Sequence, residues 1–516
     1  MRLRNSLKKY LQPSYLIFLL IFFHLIANLV WLQLNSTPPP WDEAAHTRGA
    51  LSYYHIFAEL LSGRWQPEYI LVTITDPYGP LLKIIAALSM LILYPDVRIA
   101  QFIGTLFFVA TIYLIYRIGV DEYKSIKIGL TAAFLYSFFA GVVNQSHYLS
   151  LDIGLSFFIC LFYLALIKLA DKKTFRNKVI FALIVGLATL TKIQALFYIP
   201  ILIAVYLLPS RKDTRMSSLF FLSSSYLLGV VFSLPWILIS LRSLLIYYKN
   251  ASIGEIGDPV SLFSPLTWTY YTIELVKWTL NDAVLFFVLP AILLVRKVNK
   301  PTSLFFLFTL FVYLTLTLFP NKDIRYMFPV MPFIALLLAY FLVQLLFISR
   351  FFGFVIFFMV TVLIAFGYSQ SFFSFPHKIA WYNQFNTSRY PFEQMVFDLR
   401  KELNGRFQQI IFLPDYQNMN GNSFEMYLKL YNVQNAQMTN IISLSPENID
   451  SELKKYSYFY IVSTNTEEVV RSKESDKRNL ISNYVTQLTR TGKAEILGVY
   501  QLPNESTTIQ FVKRYE

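Results

Sequence analysis

Ser14-Tyr-Leu-Ile-Phe-Leu-Leu-Ile-Phe-Phe-His-Leu-Ile-Ala-Asn-Leu-Val-Trp-Leu-Gln-Leu34 contains no Asp, Glu, Lys or Arg. As a helix it can cross a hydrocarbon core of roughly 30 Å. It is too long for the apolar part of a signal peptide, and similar runs follow it. They lie at roughly 80–94, 98–117, 126–144, 149–169, 178–191, 193–208, 217–240, 274–296, 302–320, 326–348 and 352–373. The pattern predicts an all-α polytopic membrane bundle of about 11–12 transmembrane helices.

Composition agrees. Of 516 residues, 55% are hydrophobic and 15% charged, against about a quarter charged in soluble domains. The 48 Phe and 35 Tyr suit lipid-facing positions and interfacial belts. The net charge of +14 does not indicate nucleic acid, because the basic residues sit mainly in short loops, where they set orientation and meet anionic headgroups. Cys160 is the single cysteine, so no intrachain disulfide forms.

Arg2, Arg4, Lys8 and Lys9 keep the N-terminus in the cytoplasm. If the short run 80–94 re-enters rather than crosses, the basic loops Arg117–Lys127, Lys168–Lys178, Arg211–Arg215 and Arg296–Lys300 all fall inside. The expected organisation is a transmembrane module over 1–375, with external loops at 35–79 and 241–273. A C-terminal soluble α/β domain over 376–516 follows, also extracytoplasmic. In loop 35–79, Ala44–Leu61 carries a helical apolar stripe suited to the interface. In loop 241–273, Gly254 and Gly257 suggest a mobile lid beside Lys249, Glu255 and Asp258. In the C-terminal domain, Pro391–Leu403 and Glu474–Leu488 read as helices. Ile410–Leu413, Tyr458–Val462, Ile496–Leu502 and Ile509–Val512 read as strands.

Ionisable residues in or beside spans are costly and usually functional. This topology gathers Asp42, Glu43, Asp76, His147, Asp152, Lys192 and Arg325 at the outer face. Pro38-Pro-Pro-Trp-Asp-Glu43 sets two carboxylates after a stiff proline run. A partly desolvated carboxylate can accept a proton from a hydroxyl; alternatively, Asp42 caps the following helix. Lys192 ends Gly186-Leu-Ala-Thr-Leu-Thr-Lys192 and can bind phosphate as a point charge or snorkel to headgroups. Arg325 opens Arg325-Tyr-Met-Phe-Pro-Val-Met-Pro332, either gripping phosphate or anchoring the interface, with Tyr326 beside it. Asp152 lies just inside an apolar run, so it should pair with Lys192, Arg325 or a metal, or cap its helix. His147 is a ligand or polar surface, and Asp76 serves a site or forms a turn. No phosphate-binding glycine loop and no Cys/His metal spacing is present, so a soluble nucleotide-sugar domain is not expected.

Taken in order, these segments resemble the polytopic GT-C glycosyltransferases, in the branch of protein O-mannosyltransferases and lipid A aminoarabinose transferases (ArnT-like). The resemblance covers roughly 14–373 and rests on Asp42-Glu43, Tyr78-Gly-Pro80, Asp152, Gly186–Lys192 and Arg325–Pro332. It implies an enzyme that transfers a sugar from a polyprenyl-phosphate donor to a protein, lipid or glycan hydroxyl on the non-cytoplasmic face of the cell membrane. Inversion at the anomeric carbon is expected. The resemblance gives Asp42, with Glu43, to the acceptor, and Lys192 and Arg325, with Tyr326, to the donor phosphate. Asp76, Asp152 and His147 would support the site. Where the family often has an aromatic or basic residue shortly after the acidic pair, this chain has Ala45 and His46, so His46 or Arg48 would substitute. The resemblance assigns no definite cofactor and leaves open a divalent ion on Asp42 or Asp76. A transporter or flippase is the alternative; it usually shows repeats and a midplane site, and no repeat is visible here.

Overall fold

The computed structural model describes residues 13–64, 67–209, 212–252, 261–280, 289, 291–293, 295, 298–374, 382–439, 449–462, 475–503 and 507–515. The expected lid residues Gly254, Glu255, Gly257 and Asp258 lie outside these, as do 281–288, 290, 294 and 296 of the run 274–296. The chain forms two compact units. One comprises Met1–Leu32, Gln66–Ile85 and Gln101–Gln384; the other comprises Gln33–Trp65, Ala86–Ala100 and Phe385–Glu516.

The first unit is a helical membrane bundle. Among the described residues, seven helices are long and apolar enough to cross: Tyr15–Leu34, Val97–Tyr123, Leu151–Asp171, Met216–Ile239, Lys300–Leu318, Ile324–Ile348 and Arg350–Ser369. Ile126–Ser137 and Ala140–Ser146, bent by 67°, make an eighth if taken as one span. Phe175–Thr191 has 17 residues and Ala195–Leu207 has 13. Leu81–Ile92 has only 12, about 18 Å of helix, too short for the core and in keeping with a half-span over 80–94. The chain is therefore a multi-pass membrane protein.

Two of these helices approach closely because they lack side chains where they cross. A Cβ on Gly229 would fall 2.5 Å from Val185 Cβ and 2.6 Å from the Ala182 carbonyl, as small residues permit in membrane packing. Elsewhere the core is aromatic. Tyr163, Phe305 and Phe333 meet with ring centroids 5.3 to 5.8 Å apart. The outer surface carries exposed Phe18, Phe22, Phe351 and Phe354, as suits lipid-facing positions of apolar spans.

The second unit is an α/β layer structure. Its sheet has strands β1 (Gln408–Phe412), β2 (Ala436–Met438), β3 (Tyr458–Val462), β4 (Ala494–Gln501) and β5 (Thr508–Arg514), in the order β2-β1-β3-β5-β4. β1 runs parallel to β2 and β3, while β5 runs antiparallel to β3 and β4. Alternation along the strands gives two apolar faces. Ile410, Phe412, Tyr460 and Phe511 pack with helices Phe392–Leu403 and Gly421–Leu430, while Ile411, Phe459, Ile461 and Val512 pack with helix Ser475–Arg490. Both expected helices and all four expected strands are present, with ends shifted by a few residues. Helix Gly421–Leu430 and the short β2 were not anticipated. The register slips between Ile496 and Gly498 of β4, where two β4 steps face one β5 step.

The first-loop helix runs Trp41–Leu61, starting three residues before the expected Ala44. Pro40 is its N-cap and provides no side-chain cap, so the expectation that Asp42 caps this helix is not met. Asp42 and Glu43 occupy its first turn instead, where the helix dipole favours carboxylates. Its apolar face packs on protein. Ala50 and Tyr53 are buried, and Leu60 and Leu61 near its end are exposed. The partner is helix Gly421–Leu430. The Arg48 guanidinium pairs with Glu425, and the Nε2–H of His55 donates to the Lys429 carbonyl at 2.8 Å. The prolines before the helix also dock, with Asn418 Nδ2 donating to the Pro38 carbonyl at 2.6 Å and Ser423 Oγ to the Pro39 carbonyl at 3.3 Å.

Candidate functional site

In the membrane unit, a helix break positions Lys192. Phe175–Thr191 ends at Thr191, Lys192 turns extended, and Ala195–Leu207 begins three residues on. The lysine is 8% exposed. Its Nζ donates to Asp152 Oδ1 at 2.6 Å and lies 5.6 Å from the ring centroid of Tyr326. Asp152 sits in the first turn of Leu151–Asp171, where unpaired N–H groups favour an anion. Of the partners open to it from sequence, Asp152 takes Lys192.

The segment Pro77–Pro80 supports this break. A Cβ on Gly79 would fall 2.2 Å from the Leu190 carbonyl oxygen and 2.4 Å from that of Thr191. Only glycine lets the chain pass so close beneath the residues leading to Lys192. Just before it, Asp76 forms a turn by accepting from the Tyr78 N–H at 2.9 Å, and it also accepts from Lys83 Nζ at 2.7 Å. Lys83 is 1% exposed. Sequence reading missed it, although a lysine within an apolar run, seven residues after an aspartate, was a usable signal.

Ile324–Val330 is a 3₁₀ turn leading into Met331–Ile348. Asp323 caps it, accepting from the Arg325 N–H at 2.8 Å. The Arg325 guanidinium folds back on the same carboxylate, with Nε–Oδ2 2.9 Å and Nη2–Oδ2 2.6 Å. Burial alone would raise the Asp323 carboxyl. The Arg325 charge and hydrogen bonds, with Lys192 adding to the field, hold it below its ordinary value. Sequence reading gave Asp323 no role. Tyr198 anchors the turn from the other side, donating to the Tyr326 carbonyl at 2.6 Å. Lys192, Asp152 and Tyr326 thus form one connected group, with Arg325 one residue away.

His147 is buried and stacks on Trp31 with ring centroids 3.9 Å apart and planes within 5°. Asp42, Glu43, His46 and Arg48 belong to the α/β unit. Glu43 and His46 are buried, whereas Asp42 is half-buried. Among the described residues no three His, Cys, Asp or Glu side chains converge as metal ligands. A metal on Asp76 would have to displace the Lys83 ammonium.

Residues 77–239 match a family described as dolichyl-phosphate-mannose-protein mannosyltransferase. That stretch holds Gly79, Asp152 and Lys192, while Asp42 and Arg325 lie outside it. No curated protein matches the sequence. By structure, the chain is similar to ArnT from Cupriavidus metallidurans bound to undecaprenyl phosphate, with a TM-score of 0.58 and 11% identity over 96% of this chain and 97% of that one. It is also similar to ArnT from that organism in the apo state, with a TM-score of 0.55 and 12% identity over 94% and 96%. This structural likeness is one of fold, and it runs over nearly the whole chain, beyond the residues 14–373 on which the sequence resemblance rested.

Proposed function

We propose that this ArnT-like membrane protein is a glycosyltransferase that moves a sugar from a polyprenyl-phosphate carrier to an acceptor hydroxyl on the non-cytoplasmic face. The acceptor oxygen attacks the anomeric carbon while Asp42 takes its proton, with Glu43 beside it. The bond from that carbon to the phosphate oxygen breaks, and its electron pair leaves with the carrier phosphate. Attack opposite the leaving group inverts the anomeric centre. Negative charge grows on the phosphate, and Lys192 and Arg325 stabilise it. Preorganised charge of this kind usually provides the largest part of the rate.

The observation that carries the reading is the buried Lys192 ammonium, held at 2.6 Å from Asp152 against the Tyr326 ring at a helix break. A lysine that only snorkels would lead its ammonium to water. This one is held inside, where a phosphate could compete with Asp152 for it. Asp76 and His147 then support the bundle around the site.

The test is native mass spectrometry of the full chain with undecaprenyl phosphate. A lipid adduct that weakens in Lys192→Ala/Arg325→Ala is expected. An adduct of equal strength in both proteins would remove the phosphate assignment. Wild-type protein that retains no such lipid would favour a transporter or scaffold.

A further inference from the structure

The α/β unit contains a cavity of about 440 Å³, within the usual range of roughly 300–1,000 Å³ for small-molecule sites. It opens beyond the carboxyl ends of the parallel strands β1 and β2, lined by Pro414 and Asp415 after β1 and by Met438 and Thr439 at the end of β2. The N-terminus of helix Gly421–Leu430 reaches the same cavity through Asn420 and Gly421. Ligands of open α/β sheets bind in this position. Helix Ser475–Arg490 adds Arg478 to the wall, and the first-loop helix adds Trp41 and Arg48. Seven residues, close to two helical turns, bring both side chains to one side.

The lining chemistry selects the ligand. Arg48 is paired with Glu425, and Arg478 Nη2 with Asp415 Oδ2 at 3.0 Å. The two cations are balanced by two carboxylates, so the cavity favours neither an anion nor a cation. Its two ion pairs offer planar donors and acceptors, and the Asn422 amide adds both kinds. The Thr439 hydroxyl is buried and has no hydrogen-bond partner among the described residues. Trp41 is 41% exposed and contributes an indole to the wall. An apolar platform beside paired polar groups matches a neutral sugar ring, which has C–H faces and vicinal hydroxyls at its edge.

We propose that this cavity binds a neutral sugar ring of the acceptor, so that the acceptor is a glycan or glycolipid. Assigning this ring to the acceptor rests on the reading given under Proposed function, because Trp41 directly precedes the proposed base Asp42. The pocket itself rests only on the α/β unit.

The test uses the full chain in lipid nanodiscs and saturation-transfer NMR. The probes are the methyl glycosides of glucose, mannose, galactose and N-acetylglucosamine, with inorganic phosphate as the charged comparison. Saturation transfer to at least one glycoside is expected. Trp41→Ala should weaken it about five- to tenfold, and Thr439→Val, which keeps the side-chain shape, should weaken it as well. Adding that glycoside should discharge the sugar of co-purified donor lipid in the wild type. Trp41→Ala should slow this discharge at unchanged lipid retention. The proposal is overturned if no glycoside binds, if both variants bind as the wild type does, or if phosphate binds in place of sugar. Glycoside binding that both variants lose, in a protein that retains no carrier lipid, would uphold the pocket and overturn the transferase reading.

Discussion

Replacing Asp152 by Asn keeps the side-chain volume and removes the charge opposite Lys192. The two side chains are 8% and 11% exposed, with an N–O distance of 2.6 Å. Removing one partner of a buried pair costs about 3–5 kcal/mol. The Tyr326 face, 5.6 Å from the ammonium, offsets part of this, since a desolvated cation–π contact is worth up to about 2 kcal/mol. A net loss of about 2–4 kcal/mol follows, or a 30- to 1,000-fold rise in opening of the bundle. The chain has its own reporter. Cys160 is the single cysteine, is fully buried, and lies on the same helix as Asp152. Maleimide labelling of Cys160 against denaturant in mixed micelles reads the opening directly. Lys192→Met/Asp152→Asn removes both charges and should recover most of the loss without restoring carrier-lipid binding. Labelling of Asp152→Asn within twofold of wild type would show that the carboxylate does not hold the ammonium.

Gly79→Ala should cost about 1–3 kcal/mol by overpacking and weaken retention of undecaprenyl phosphate, because its Cβ meets the carbonyls leading to Lys192; thermal unfolding and native mass spectrometry read the two effects. Asp42→Asn should abolish sugar transfer while leaving lipid binding unchanged, and a fully active variant would remove the base assignment. His55 is held below its ordinary value of 6.5, first by burial and then by the nearby Lys429 charge, against opposing contributions from its bond to the Lys429 carbonyl and from Glu59. A lowered folded-state value means this contribution is complete above pH 6.5 and is lost as pH falls through the folded value. Protease resistance of the α/β unit should therefore fall below pH 6.5, and less so in His55→Gln.

The spans were legible because apolar runs of that length have little other use in water. The charged residues Asp152, Lys192 and Arg325 stood out for the same reason, since their surroundings make them expensive. The pairing of Asp152 with Lys192 was one of several open choices, which only the helix break at Thr191 resolves. Lys322 went unnoticed at a span end, yet its buried ammonium donates to the Thr317 carbonyl at 2.6 Å and to those of Leu316 and Phe319, closing helix Lys300–Leu318. Helix Gly421–Leu430 was hidden because its buried Phe424, Met426 and Leu428 alternate like a strand. β2 has three residues, too few for any pattern. The cavity was invisible in sequence, because Trp41 and Thr439 lie far apart along the chain and share its wall only once the domain is folded.

The sheet ends at one edge in the three-residue β2 and at the other in β4, with its slipped register at Ile496 and Gly498. A long flat edge invites another strand to add to it, and short or bulged edges discourage that. Ile496 and Val499 are exposed on β4, so an unbroken edge there would present a sticky template. This domain is tethered to a membrane, where neighbouring copies are crowded in two dimensions and no disulfide restrains the fold. The irregular border lets copies collide without joining their sheets.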